Sequence, residues 1–123
     1  MSPTFAQGKI CYLEIPTADI AASSHFYQDV LGWRLRERGG GATAFDDGVG
    51  EVSGTWVLGR PPSAEPGLCI HVMVKDVAET SRRVVEGGGE IVQPHDDEAE
   101  EVYALFRDPY GNVLGLYQNS DME

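Results

Sequence analysis

The sequence predicts an α+β fold: two diverged copies of one β-α-β-β-β module. Three observations carry this. Short stretches alternate apolar and polar residues with a period of two, as strands do. Two longer stretches, each opened by an aspartate, carry helical spacing. The same punctuation then recurs in order. Asp19 matches Asp76 (76 − 19 = 57), and Gly32 matches Gly89 at the same offset. Phe45 matches Phe106 (106 − 45 = 61), and Asp47–Asp108 and Gly50–Gly111 share that second offset. Five pairs at two offsets argue for a duplicated unit.

Lys9 to Ile15 alternates and reads as the first strand, ended by Pro16. Asp19 caps a helix in which Ile20, Phe26, Tyr27, Val30 and Leu31 recur at helical spacing, and Gly32 stops it. Trp33 to Arg38 is a strand, broken by Gly39-Gly40-Gly41. Ala42 to Phe45 is the third strand, Asp46-Asp47-Gly48 a turn, and Val52 to Leu58 the fourth strand. In the second half, Leu68 to Val74 is a strand, and Asp76 with Glu79 forms a capping box for a helix reaching about Glu86. Glu90 to Gln93, Val102 to Phe106 and Val113 to Gln118 complete the strands, with a turn at Asp108-Pro-Tyr-Gly-Asn. The chain is read as one domain over 1–123. Module one spans about 9–59, a proline-rich linker 60–67, and module two about 68–118.

With 123 residues the chain is long enough to bury a core without staples. Its formal net charge of −11 argues against a nucleic-acid partner, because phosphate binding needs clustered Lys and Arg. No apolar run is long enough to span a bilayer and no basic-then-apolar leader is present, so no membrane partner is expected and the reading places the protein in the cytoplasm. The acidic stretch Asp96 to Glu101 reads as a solvated loop. Two cysteines, Cys11 and Cys69, are expected to stay reduced. His25 and His95 read as surface residues. The histidine and cysteine spacings match no structural zinc pattern.

Two blocks carry a family resemblance. Phe26-Tyr27-Gln28-Asp29-Val30-Leu31-Gly32-Trp33 follows the first helix cap, and Phe106-Arg107-Asp108-Pro109-Tyr110-Gly111-Asn112 precedes the last strand. Over about residues 9 to 118 the chain resembles the vicinal-oxygen-chelate superfamily of glyoxalases, bleomycin-resistance proteins and extradiol dioxygenases. Tyr12-Leu13-Glu14-Ile15-Pro16 before Asp19 resembles its glyoxalase-like bacterial branch. The resemblance implies a curled mixed sheet that forms a half-open barrel around a cleft, with the helices on the convex face, and pairing into a homodimer. It also implies up to four metal ligands: a His seven residues before each helix-cap Asp, and a Glu seven after each turn Asp. By that count the positions are Tyr12, Cys69, Gly54 and Gly115. None is the expected His or Glu. Tyr12 is a poor ligand at neutral pH, the glycines carry no donor, and one cysteine falls short of the usual three ligands. No resident metal or other cofactor is therefore expected.

Alternation then places Tyr12, Glu14, Gly54, Trp56, Cys69, His71, Met73, Val113, Gly115 and Tyr117 on the cavity face. Tyr12, Trp56, Tyr103 and Tyr117 offer stacking surfaces for a planar ligand, or fill the core. Glu14 and His71 are repeat mates (71 − 14 = 57) and form a candidate acid–base pair, or a polar pair that satisfies itself. Cys69 with His71 two residues on is a weaker candidate nucleophile. The reading is a metal-free, glyoxalase-like protein that binds and sequesters a small organic molecule. Its alternatives are an isomerase or lyase using Glu14 and His71, and a metal-dependent lyase or dioxygenase with relocated ligands.

Overall fold

The structure is a computed structural model and describes residues 3–119 and 121. The chain divides into two compact units, Met1–Pro61 and Pro62–Glu123. Each holds one helix and one mixed four-stranded sheet, so the fold is α+β as the sequence predicts.

Module one runs β1 (Tyr12–Pro16), α1 (Ile20–Leu31), β2 (Arg34–Glu37), β3 (Thr43–Asp46) and β4 (Ser53–Val57). The sheet order is β1-β4-β3-β2, with β1 and β4 parallel and the other pairs antiparallel. β1 begins three residues later than its alternation suggests, because its ladder partner begins only at Ser53. Lys9 instead pairs with Glu51 at 3.0 Å. Helix α1 starts where Asp19 accepts the N–H of Ala22 and ends at Gly32, whose left-handed φ of 73° lets its N–H reach the carbonyl of Gln28. Phe26, Tyr27 and Val30 are buried along the helix. Trp33 stacks between Tyr27 and Phe45, at 5.0 and 4.4 Å between ring centroids, and Trp56 tilts against both of those rings. This aromatic cluster is the core of the module, between helix and sheet.

Module two runs β5 (His71–Val74), α2 (Val77–Glu86), β6 (Glu90–Gln93), β7 (Tyr103–Arg107) and β8 (Val113–Gln118), in the order β5-β8-β7-β6. Val77, Val84, Ala104, Phe106 and Leu116 are fully buried and form its core. Asp76 accepts the Glu79 N–H as expected, but the Glu79 carboxylate binds Arg82 and Arg83 instead of closing a capping box. Part of the stretch read as a linker is fixed to this module. Ser63 donates its N–H to Asn112 Oδ1 and accepts from the N–H of Val113.

The repeat is visible in the two turns before the last strand of each module. Asp47 and Asp108 each hold two later backbone N–H groups on one carboxylate oxygen. Gly50 and Gly111 both take positive φ, 75° and 100°, and donate back to their aspartate's carbonyl. The lengths differ. Asp47 N–H reaches the carbonyl of Val52, whereas Asp108 N–H reaches that of Asn112. Module one therefore holds one extra residue after the glycine. The offset falls from 61 to 60 across the turn (115 − 55 = 60), so the counterpart of Gly115 is Thr55.

Candidate functional site

Each sheet has one face packed on its own helix and one face turned away from it. Paired residues in neighbouring strands share a face, so the register lays the second face out row by row. In module one, one row is Tyr12, Ser53, Asp46 and Arg34, and the next is Glu14, Thr55, Ala44 and Arg36. Arg38 follows Arg36 at the same alternation. The floor of this face is short side chains: Ala44 is 1% exposed, and Thr55 folds its hydroxyl down onto the carbonyl of Thr43 at 2.7 Å. Long side chains cross above. Arg38 Nη1 donates to the Tyr12 hydroxyl at 3.4 Å, from β2's end to β1. Arg60, just past β4, donates to Glu14 at 2.9 Å. Arg36 grips Asp46 with two bonds, 2.9 and 3.0 Å, and those bonds with that of Ser53 hold the Asp46 carboxyl below the usual carboxylate range.

In module two the corresponding face carries His71, Met73, Gly115, Tyr117, Tyr103 and Leu105. The His71 ring lies over Gly115, filling the space a side chain there would take, and stands at 69° to the Tyr103 ring with centroids 5.8 Å apart. Tyr103 accepts from Gln93, and the Tyr117 hydroxyl faces Glu101, whose charge raises the phenol's pKa. Cys69 lies just before β5, partly exposed, and both cysteines are free thiols.

Two sequence-derived positions are corrected. Gly54 and Trp56 lie on the helix side of their sheet. Gly54 pairs with Leu13 and Phe45, and a Cβ on it would collide with the Phe45 ring. Trp56 is 2% exposed, within the aromatic cluster. The extra turn residue explains the error: counting seven from Asp47 stops one residue short, and one residue reverses the face of a strand. Thr55 takes the place of Gly54. Tyr12, Glu14, His71, Met73, Gly115 and Tyr117 lie on the helix-free faces of their sheets, and Tyr103 shares that face of module two. Glu14 is not a free carboxylate, since Arg60 holds it. Sequence reading passed over Thr55, Arg38 and Arg60. Arg34, Arg36 and Arg38 at alternate positions of one strand were the signal for the cationic side of the face.

None of the four positions that the resemblance marks for metal ligands carries a His or a Glu. Tyr12 is hydrogen-bonded by a guanidinium, whose charge opposes a cation's. The Thr55 hydroxyl is donated to a carbonyl, Gly115 has no donor and its space holds the His71 ring, and Cys69 stands at the fourth position.

Two mixed sheets, each from a β-α-β-β-β run with one helix-covered face, define a glyoxalase-like architecture. The sequence profile of the Glyoxalase/Bleomycin resistance protein/Dioxygenase superfamily matches residues 9–116. The chain belongs to that superfamily. A protein provisionally named glyoxylase CFP32, from Mycobacterium bovis and Mycobacterium tuberculosis, is 28% identical over 123 residues, covering 93% of this chain and 47% of the relative. The chain thus spans about half the length of the curated relatives it matches. A glyoxalase/bleomycin resistance protein/dioxygenase family enzyme from Burkholderia phytofirmans superposes with a TM-score of 0.74 at 19% identity, covering 90% of this chain and 98% of that one. The fosfomycin resistance protein FosX from Mesorhizobium loti gives 0.72 at 14% identity, with 94% of each chain covered. These two likenesses show the fold.

Proposed function

We propose that the protein binds a small organic molecule on the helix-free faces of its sheets without the metal of its superfamily. The observation that carries this is the state of the four ligand positions. Tyr12, Thr55, Cys69 and Gly115 offer no donor set for a divalent ion, while the faces around them keep long polar and aromatic side chains. Sequestration of the bound molecule is the simplest use of such a face. The description of FosX as a resistance protein is in keeping with that use. Pairing into a homodimer, as the resemblance implies, belongs to the same reading and is checked by sedimentation equilibrium.

A thermal-shift screen of small organic compounds, run with and without added Zn²⁺, Mn²⁺ and Ni²⁺ and with EDTA, tests the proposal. Stabilising compounds are expected to act equally under all conditions. A stoichiometric, tightly bound metal whose removal abolishes ligand binding would overturn it.

The second reading is proton transfer by Glu14 and His71. It draws on the imidazole of His71, which can both accept and donate a proton. Glu14→Gln and His71→Ala test it once a turned-over compound is found: unchanged turnover in both removes the pair.

A further inference from the structure

We infer that Arg38 and Tyr12 form an oxyanion-binding site on the open face of module one, so that the bound molecule is an organic anion presenting a carboxylate or phosphoryl group. The inference rests on the small-molecule reading above and names the ligand class for that face. Four of the chain's seven arginines, Arg34, Arg36, Arg38 and Arg60, belong to this face or its rim, in a chain whose net charge is −11. Such a local reversal of charge is not what solubility alone requires.

The arginines differ in what holds them. Arg36 is bound by Asp46 and Arg60 by Glu14, and Arg34 lies near Asp46. Among the described residues Arg38 has no carboxylate partner. Its one side-chain hydrogen bond is to the neutral hydroxyl of Tyr12. To make it, the side chains reach toward each other diagonally across a sheet of four strands, since Arg34 and not Arg38 shares the row of Tyr12. The small floor of Ala44 and Thr55 leaves that path open. A guanidinium has five N–H donors and no acceptor, so Arg38 keeps further donors unspent. The Tyr12 oxygen accepts from Arg38, which leaves its own O–H free to donate. Two donors, one charged, thus converge with no acceptor among the described residues for their remaining protons. A planar carboxylate or a phosphoryl group offers the acceptors that match, as guanidinium forks prefer. Both groups are exposed, so the attraction will weaken with salt.

The test titrates the full chain with benzoate, phenyl phosphate and uncharged benzamide, followed by ¹H–¹⁵N NMR including the arginine Nε–H signals. Benzoate or phenyl phosphate is expected to bind at least about tenfold tighter than benzamide and to move the Arg38 Nε–H signal. Whichever of the two binds tighter names the group. Arg38→Gln should erase the preference, Arg38→Lys should keep part of it, and Tyr12→Phe should reduce it about threefold. Arg82→Gln, which removes the same charge from helix α2, should leave it intact. Anions that bind no tighter than benzamide, or a preference that survives Arg38→Gln, overturn the inference. If benzamide still perturbs this face in that event, the small-molecule reading stands. If none of the three probes perturbs it, the inference falls, and the compounds found by the thermal-shift screen decide the broader reading.

Discussion

The His71 ring occupies the space that a side chain at Gly115 would need: a Cβ built there would collide with Nδ1 and Cε1 of the imidazole. Gly54 has a different obstruction, the carbonyl oxygen of Leu13 and the ring of fully buried Phe45. The exposed His71 can swing aside on two torsions, whereas a backbone carbonyl and a core ring cannot. Gly115→Ala is therefore expected to cost under about 1 kcal/mol while shifting the His71 ring resonances, and Gly54→Ala to cost about 3 kcal/mol or more through overpacking. Urea unfolding of both variants checks the order. Equal costs would mean that His71 is locked in place.

Most of the architecture was legible in the sequence because it rests on local rules. Asp19 and Asp76 cap their helices, and in each turn the glycine donates back to its aspartate's carbonyl. The faces in module two followed from alternation, anchored at Asp108. The faces of β4 did not, because the anchor at Asp47 is separated from the strand by one extra residue. Nothing in Gly48 to Val52 announces that residue; only the hydrogen bond from Asp47 to Val52 does. The partners of Glu14 and Tyr12 were likewise hidden. Arg60 and Arg38 lie far from them in sequence, and side-chain reach across a sheet leaves no periodic trace.

Trp56 sits in the core with its indole N–H unpartnered among the described residues. A buried donor without an acceptor costs about 1–3 kcal/mol. Trp56→Phe removes that donor and keeps most of the aromatic contact with Tyr27 and Phe45, so it is expected to cost under about 1.5 kcal/mol. Trp56→Ala should cost about 3–5 kcal/mol, because nothing fills the cavity. Chemical denaturation of both variants measures the difference. A Phe variant as unstable as the Ala variant would show that the N–H is satisfied in solution.

The duplicated turns are built alike but buried differently. Asp108 is 2% exposed and Asn112 is 1% exposed, and the Asp108 carboxylate also takes the Asn112 side-chain amide at 2.9 Å. Asp47 is only half-buried. Removing an acceptor matters most where water cannot replace it. Asp108→Ala is expected to cost about 2–4 kcal/mol, and Asp47→Ala about half that. Thermal unfolding of both, compared with Asn112→Ala, checks the ranking.

Asp46 supplies a pH prediction with a definite sign. Arg36 donates to both of its oxygens and Ser53 to one, so its carboxyl titrates below the usual value of about 3.9 in the folded chain. A depressed pKa means that the folded state holds the charged form more strongly than the unfolded state does. The contribution is complete above the ordinary aspartate value and is lost as pH falls through it toward the lower folded value. Between pH 5 and pH 3 the urea midpoint of the wild type should therefore fall more than that of Asp46→Asn, which cannot lose a charge there. Glu51 and Glu79 are lowered in the same sense, by the N–H of Thr4 and by Arg82 respectively, so the variant keeps part of the acid sensitivity. Arg36→Gln should flatten the same part of the curve, because it removes the largest cause of the shift. The double variant should add little beyond either single change, as expected for two residues acting as one pair. If Asp46→Asn and the wild type lose stability in parallel, the bidentate pair does not persist in solution.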